Sequence, residues 1–169
     1  AMGSFVVALT TSSILLGFLV GALIGALIAG IVAFSSITLK QSQVAIGFVL
    51  ALLCRDLAYF LGAPYTNKPG VFLSKVPIPG LAEIPVIGPI FFNHSIVVYI
   101  SYLFIVVAYV FMFKTRPGLM LQGIGERPTA AFVRGANVKG LRYLYTMLGG
   151  ALVGLAGPMY SLAVKIGWA

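Results

Sequence analysis

Charge is what this chain has least of. Only 8% of its residues are Asp, Glu, Lys or Arg, where a soluble domain carries about 25%. Three are acidic, and they lie far apart at Asp56, Glu83 and Glu126, so no carboxylate pair is available for acid–base chemistry. One cysteine, Cys54, excludes an intrachain disulfide, and its apolar setting gives it a packing role. One histidine, His94, cannot build a metal-ligand cluster or a nucleophile–base pair alone. Beside Asn93 at a helix boundary, it reads as an interfacial cap. No basic region precedes the first apolar run, so that run does not read as a signal peptide.

Apolar sequence fills the space that charge leaves. The chain is 60% hydrophobic, with a mean hydropathy of +1.08. Its apolar runs exceed the roughly 20 residues that cross a hydrocarbon core. A surface this apolar could not stay in water, so the class is an all-α, polytopic helical membrane protein. The formal net charge of +8 does not point to nucleic acid, because the positive residues gather at segment ends, as topology requires.

Residues 1–39 carry no charge, too long a stretch for one ordinary span. Thr10-Thr-Ser-Ser13 is the natural break. Residues 1–10 then read as the tail of a longer helix, with Ala1-Met-Gly-Ser4 either native or a cloning remnant, and residues 14–37 as a full span. Gly17, Gly21 and Gly25, continued by Ala29 and Ala33, strip one face of large side chains so that another helix can approach. Lys40 marks a turn, and residues 41–61 form the next span. That span holds Arg55 and Asp56, ionisable groups that either mark a candidate pathway, being costly at depth, or sit near the outer interface, where Arg can snorkel and Asp can cap a neighbour. Neighbours at i and i+1 point apart on a helix, so these two are not expected to pair. Residues 63–94 are rich in proline, glycine and apolar side chains, and predict an irregular loop covering an outer mouth. Residues 95–113 form a third span of about 28 Å. The last begins near residue 141, where Gly149-Gly150, Gly154 and Gly157-Pro158 interrupt the helix and permit close packing, kinking or unwinding. The tally is about four complete spans and a partial one, in a single membrane domain over 1–169.

Residues 114–142 hold Lys114, Arg116, Arg127, Arg134, Lys139 and Arg142, six of the 11 basic residues. This excess places the segment in the cytoplasm and the 63–94 loop outside. Within it, Pro128 suits a first helical turn and Gly135 an exit. Glu126 favours the positive helix start and Arg134 the other end. Thr129-Ala-Ala-Phe-Val133 gives about two turns, too few to stand alone in water. The helix must therefore dock, either on its own bundle or in a partner's groove, offering Phe132 with Ala130 and Ala131.

The runs Thr115-Arg-Pro-Gly-Leu119, Gly123-Ile-Gly-Glu-Arg-Pro-Thr-Ala-Ala131, Gly135-Ala-Asn-Val138, Arg142-Tyr143 and Gly149-Gly-Ala-Leu-Val-Gly-Leu-Ala-Gly157 resemble the permease subunits of bacterial ABC importers. The branch is that for simple sugars, nucleosides and branched-chain amino acids, and the loop Ile78-Pro-Gly-Leu-Ala-Glu-Ile-Pro-Val-Ile-Gly-Pro89 is similar to its nucleoside or simple-sugar subgroup. Arg127 departs from the asparagine usual in that pattern. The family is longer at both ends, so the chain is read as the middle of a permease.

The resemblance implies a transport subunit of the bacterial inner membrane, not an enzyme. It implies that residues 128–134 form a coupling helix, with Gly125, Glu126, Arg127, Pro128, Ala130, Ala131, Phe132, Arg134 and Gly135 engaging an ABC ATPase subunit. The chain itself has no Gly-x-x-x-x-Gly-Lys-Ser/Thr loop for phosphate. No cofactor is expected in it; ATP and Mg belong to the ATPase. A second permease subunit, an extracellular substrate-binding lipoprotein and the lipid bilayer complete the implied partners, with no nucleic acid. Arg55, Asp56, Gly150, Gly154 and Gly157 are the candidate pathway residues. The competing expectation is a secondary transporter or channel driven by an ion gradient through Arg55 and Asp56.

Overall fold

The structure, a computed structural model, describes residues 1–66 and 96–161. Every regular element among the described residues is helical: α1 (Met2–Thr11), α2 (Ile14–Ala33), α3 (Gln43–Gly62), α4 (Ile96–Lys114), α5 (Arg116–Glu126), α6 (Pro128–Val133) and α7 (Val138–Met159). A π-turn, Phe34–Thr38, extends α2, and a 3₁₀ turn, Ala63–Tyr65, follows α3. The chain divides into two units, residues 1–72 with 139–169, and residues 73–138. The expected outer loop beyond residue 66, with His94 at its end, lies outside the described residues.

In the first unit the chain breaks where its run of hydroxyls predicts. Ser12 adopts a left-handed conformation (φ 51°) and Ser13 is extended. Thr10 and Thr11 donate their hydroxyls back to the Val6 and Val7 carbonyls one turn earlier, at 3.0 and 2.6 Å. α1 then lies on α2 through Ser4, Phe5 and Ala8, all buried. Gly17 makes the approach possible, since a Cβ there would sit 2.9 Å from the Ser4 carbonyl oxygen.

The glycine row continues against α7. A Cβ at Gly21 would lie 2.8 Å from the Gly154 carbonyl oxygen, and one at Gly25 would fall on the Gly150 carbonyl and 2.7 Å from the Gly154 Cα. Backbone therefore meets backbone along this seam, as small residues permit between membrane helices. The glycines of α7 do not interrupt it. The helix runs unbroken from Val138 to Met159, with Pro158 inside and a π-turn at 160–161. Each interior glycine costs about 1 kcal/mol relative to alanine, which close contact with α2 offsets. A hydrogen bond between the Thr38 and Tyr143 hydroxyls joins the π-turn to the start of α7.

Lys40, with φ 53°, makes the predicted turn into α3. Two helices are long and apolar enough to cross a bilayer alone, Ile14–Thr38 and Gln43–Tyr65, and α4 with α5 supplies a third if that pair, bent by 72°, is counted as one. The chain is thus an all-α polytopic membrane protein, with α1 as a shorter apolar helix, but the expected four complete spans reduce to two or three among the described residues. α7 fails the same test because Lys139 and Arg142 occupy its first turns and glycine and tyrosine dilute its apolar residues.

Substituting Gly25→Leu should overpack the α2–α7 seam, at a cost of about 1–3 kcal/mol or more. A fall in the melting temperature of the purified protein in detergent is the expected reading. The same change at Gly47, where a Cβ meets nothing within 4 Å, should leave that temperature nearly unchanged.

Candidate functional site

In the second unit α4 ends at Lys114 and the chain turns 72° into α5 within one residue. Thr115 makes that turn as an extended N-cap (φ −113°, ψ 149°). Its hydroxyl accepts the Gly118 amide at 3.2 Å and donates to the Phe111 carbonyl at 2.6 Å. Pro117 in the first turn of α5 fits the general preference for proline there. Gly118 is buried in the corner, where a Cβ would lie 2.8 Å from the Met112 Cα. The sequence reading missed α5. Its signal was present in the threonine followed by proline two residues later, a helix-start pattern.

Arg127 joins α5 to α6. Its amide closes α5 on the Gly123 carbonyl at 2.9 Å, and its carbonyl accepts the Ala131 amide at 3.2 Å. One residue thus ends one helix and begins the next, with φ −139° and ψ 81°. Pro128 takes the first position of α6 as predicted. The exit is also as predicted. Gly135 has φ +83°, its amide bonds the Phe132 carbonyl at 2.9 Å, and the Ala136 amide reaches the Ala131 carbonyl at 3.1 Å. This is the Schellman closure, which terminates a helix with backbone groups alone.

Between α5 and α6 lies a groove of about 510 Å³, floored by Leu119, Met120 and Gly123 and by Ala130, Ala131 and Ala136. Glu126, Arg127 and Arg134 stand around it. Five of the sequence-predicted coupling residues, Glu126, Arg127, Ala130, Ala131 and Arg134, therefore share one groove. Phe132 does not join them; it is 70% exposed beside Val133 at 85%. Gly125 lies in the last turn of α5, open on its Cβ side. The expected single knob of Phe132 with Ala130 and Ala131 thus separates into an outward Phe132 tip and two alanines on the groove, Ala131 half-buried and Ala130 exposed.

The pathway candidates divide as well. Gly150, Gly154 and Gly157 line a cavity of about 380 Å³ with Gly21, Gly25 and Ser4. Arg55 and Asp56 stand apart on α3, of whose residues only Gly62 is buried. Contrary to expectation they do pair: Arg55 Nε donates to Asp56 Oδ1 at 3.1 Å, both side chains being exposed (63% and 68%). The i, i+1 argument concerns where Cβ atoms point, and the long arginine stem folds back past it. Counted from the ends of the Gln43–Tyr65 span, Arg55 lies about 18 Å from one and about 15 Å from the other, near mid-depth. No group of three or more metal-ligating side chains occurs among the described residues.

Apolar helices, a glycine seam and a short polar elbow make the chain an all-α polytopic membrane protein. Residues 1–169 match the family model described as the branched-chain amino acid transport system permease component, and the chain belongs to that family. It is 35% identical over 172 residues to a protein of Haloferax volcanii provisionally named a glucose ABC transporter permease protein, covering 99% of this chain and 52% of that one. It is 35% identical over 142 residues to the guanosine ABC transporter permease protein NupQ of Bacillus subtilis, and 34% over 138 to the nucleoside ABC transporter permease protein NupC of Lactococcus lactis. Each of these two alignments covers 79% of this chain and 44% of the relative. The chain thus spans about half the length of the curated relatives it matches. No solved structure matches it.

Gly135→Val should strain the left-handed exit of α6 by about 1–2 kcal/mol, whereas Gly135→Asn should be tolerated. Hydrogen exchange at the Ala136 amide checks this: about tenfold faster exchange in the valine variant, and little change in the asparagine variant.

Proposed function

We propose that the chain is the membrane-spanning part of an ATP-driven importer for nucleosides or simple sugars. A separate ATPase subunit docks on α6 and the adjoining groove in the cytoplasm of a bacterial cell. The observation that carries this reading is the elbow itself. A six-residue helix with a defined start and exit stands beside a groove edged by Arg127 and Arg134, in a family whose members include named ABC transporter permeases. ATP and Mg stay with the partner. Its closing and opening would move α6, and α4 and α7, continuous with it in sequence, would carry the movement to the gate. A second permease subunit would complete the pathway, and an external lipoprotein would deliver substrate at the outer face. Guanosine, nucleosides and glucose, named for the relatives, support this substrate class.

The Arg55–Asp56 pair fits the pathway of such an importer. A charged pair at mid-depth is costly against lipid, so that face of α3 belongs toward water or another protein surface, and a hydroxyl-rich solute suits its donors and acceptors. The same pair would serve a carrier driven by an ion gradient, which makes the energy source the deciding measurement.

In the assembled transporter, Ala131→Glu should fill the half-buried alanine position with a bulky charge. Receptor-stimulated ATP hydrolysis should fall to its basal rate while receptor docking persists; unchanged hydrolysis would remove α6 from the ATPase interface. Vesicles depleted of ATP should take up neither guanosine nor glucose. Uptake there that follows an imposed ion gradient would replace the importer with the gradient-driven carrier.

A further inference from the structure

The end of a helix leaves its last four carbonyls without helical partners, and at α4 those carbonyls face a corner. Side chains take up two of them. Thr115, at the vertex, covers Phe111. Gln122 covers Met112: its Nε2 donates to that carbonyl at 2.6 Å, across ten residues of sequence. Gln122 sits about two turns into α5, so its bond closes the corner diagonally. Gly118 completes the triangle, since its missing Cβ lets α5 lie directly on the Met112 backbone. Vertex, contact and brace are three separate points, and three points fix an angle that a vertex alone leaves free.

The neighbouring joint is built differently. Arg127 ends the backbone bonding of α5 and begins that of α6, with no side-chain cap bond at the start of α6. The corner thus carries a side-chain brace where the start of α6 carries no side-chain cap. We propose that Gln122 is a positioning residue that locks α4 and α5 into one rigid L, so that displacement at the α5–α6 groove turns α4 rather than bending the corner. This rests on the reading that an ATPase pushes on α6. Gln122 lies outside the groove lining and need not touch the ATPase. Its contribution is to the fraction of each hydrolysis that becomes movement.

The test uses the assembled transporter in proteoliposomes, with guanosine and glucose as probes. Gln122→Met keeps the length of the side chain and removes the donor; Gln122→Lys restores a donor on a flexible stem. In the methionine variant the ATPase should co-purify and hydrolyse ATP as before, while solute taken up per ATP falls about fivefold, the consequence of losing one hydrogen bond from the latched state. The lysine variant should recover most of that ratio. A methionine variant with the unaltered ratio of uptake to hydrolysis overturns the proposal. So does a pair of variants that lose ATPase binding equally, because that marks a fold defect and not a brace. If the unaltered protein itself shows no ATP-dependent uptake of either probe, the coupling reading fails and the inference falls with it.

Discussion

Inside or beside a bilayer, a backbone carbonyl that leaves a helix must find a donor without help from bulk water. The described turns of this protein follow from that constraint. At α4 a threonine and a glutamine supply the donors. At α6 glycine and the following backbone amide suffice, and past Pro158 the Ser161 hydroxyl donates to the Gly157 carbonyl at 3.2 Å. No buried side-chain nitrogen or oxygen among the described residues lacks a partner. The few polar residues of this chain are spent largely at its corners, which is why a charge-poor sequence can still define sharp changes of direction.

Between the corners, small residues replace polar ones as the means of specification. Leucine and lipid are equally apolar, so burial of hydrophobic area does little to select one helix neighbour over another within the membrane. Gly21 and Gly25 on α2 and Gly150 and Gly154 on α7 select by shape, because only where both helices lack a Cβ can their backbones touch. The exposed leucines of α2 and the almost wholly exposed α3 show the complementary fact. Much of this surface is apolar and open, as a lipid-facing surface would be.

Local features were legible in the sequence. The break at Thr10-Thr-Ser-Ser13, the turn at Lys40 and the two ends of α6 are each written in residues whose backbone preferences act at once and nearby. The small face of α2 was legible too, but not its partner, since nothing local in Gly21 or Gly25 names Gly154 or Gly150. α5 escaped because its glycines and its charge resembled a loop more than a helix. The Gln122 brace escaped because it spans ten residues and exists only once the corner has formed. The Arg55–Asp56 pair was misjudged by treating side chains as the directions of their first bonds. Of the candidate site, five residues expected to act together share one groove, but the division between groove and outward tip depended on how α6 turns against α5.

The closure of α6 by backbone alone bears on how such proteins diverge. A helix that ends on a side-chain cap must keep that side chain. α6 ends on amides and carbonyls, and its exit asks only for a residue at ease in the left-handed conformation, here Gly135. Thr129, Phe132 and Val133, exposed on its surface, can therefore change without unravelling it. The surface of this element is free to change one residue at a time, while the corner that supports it stays the same.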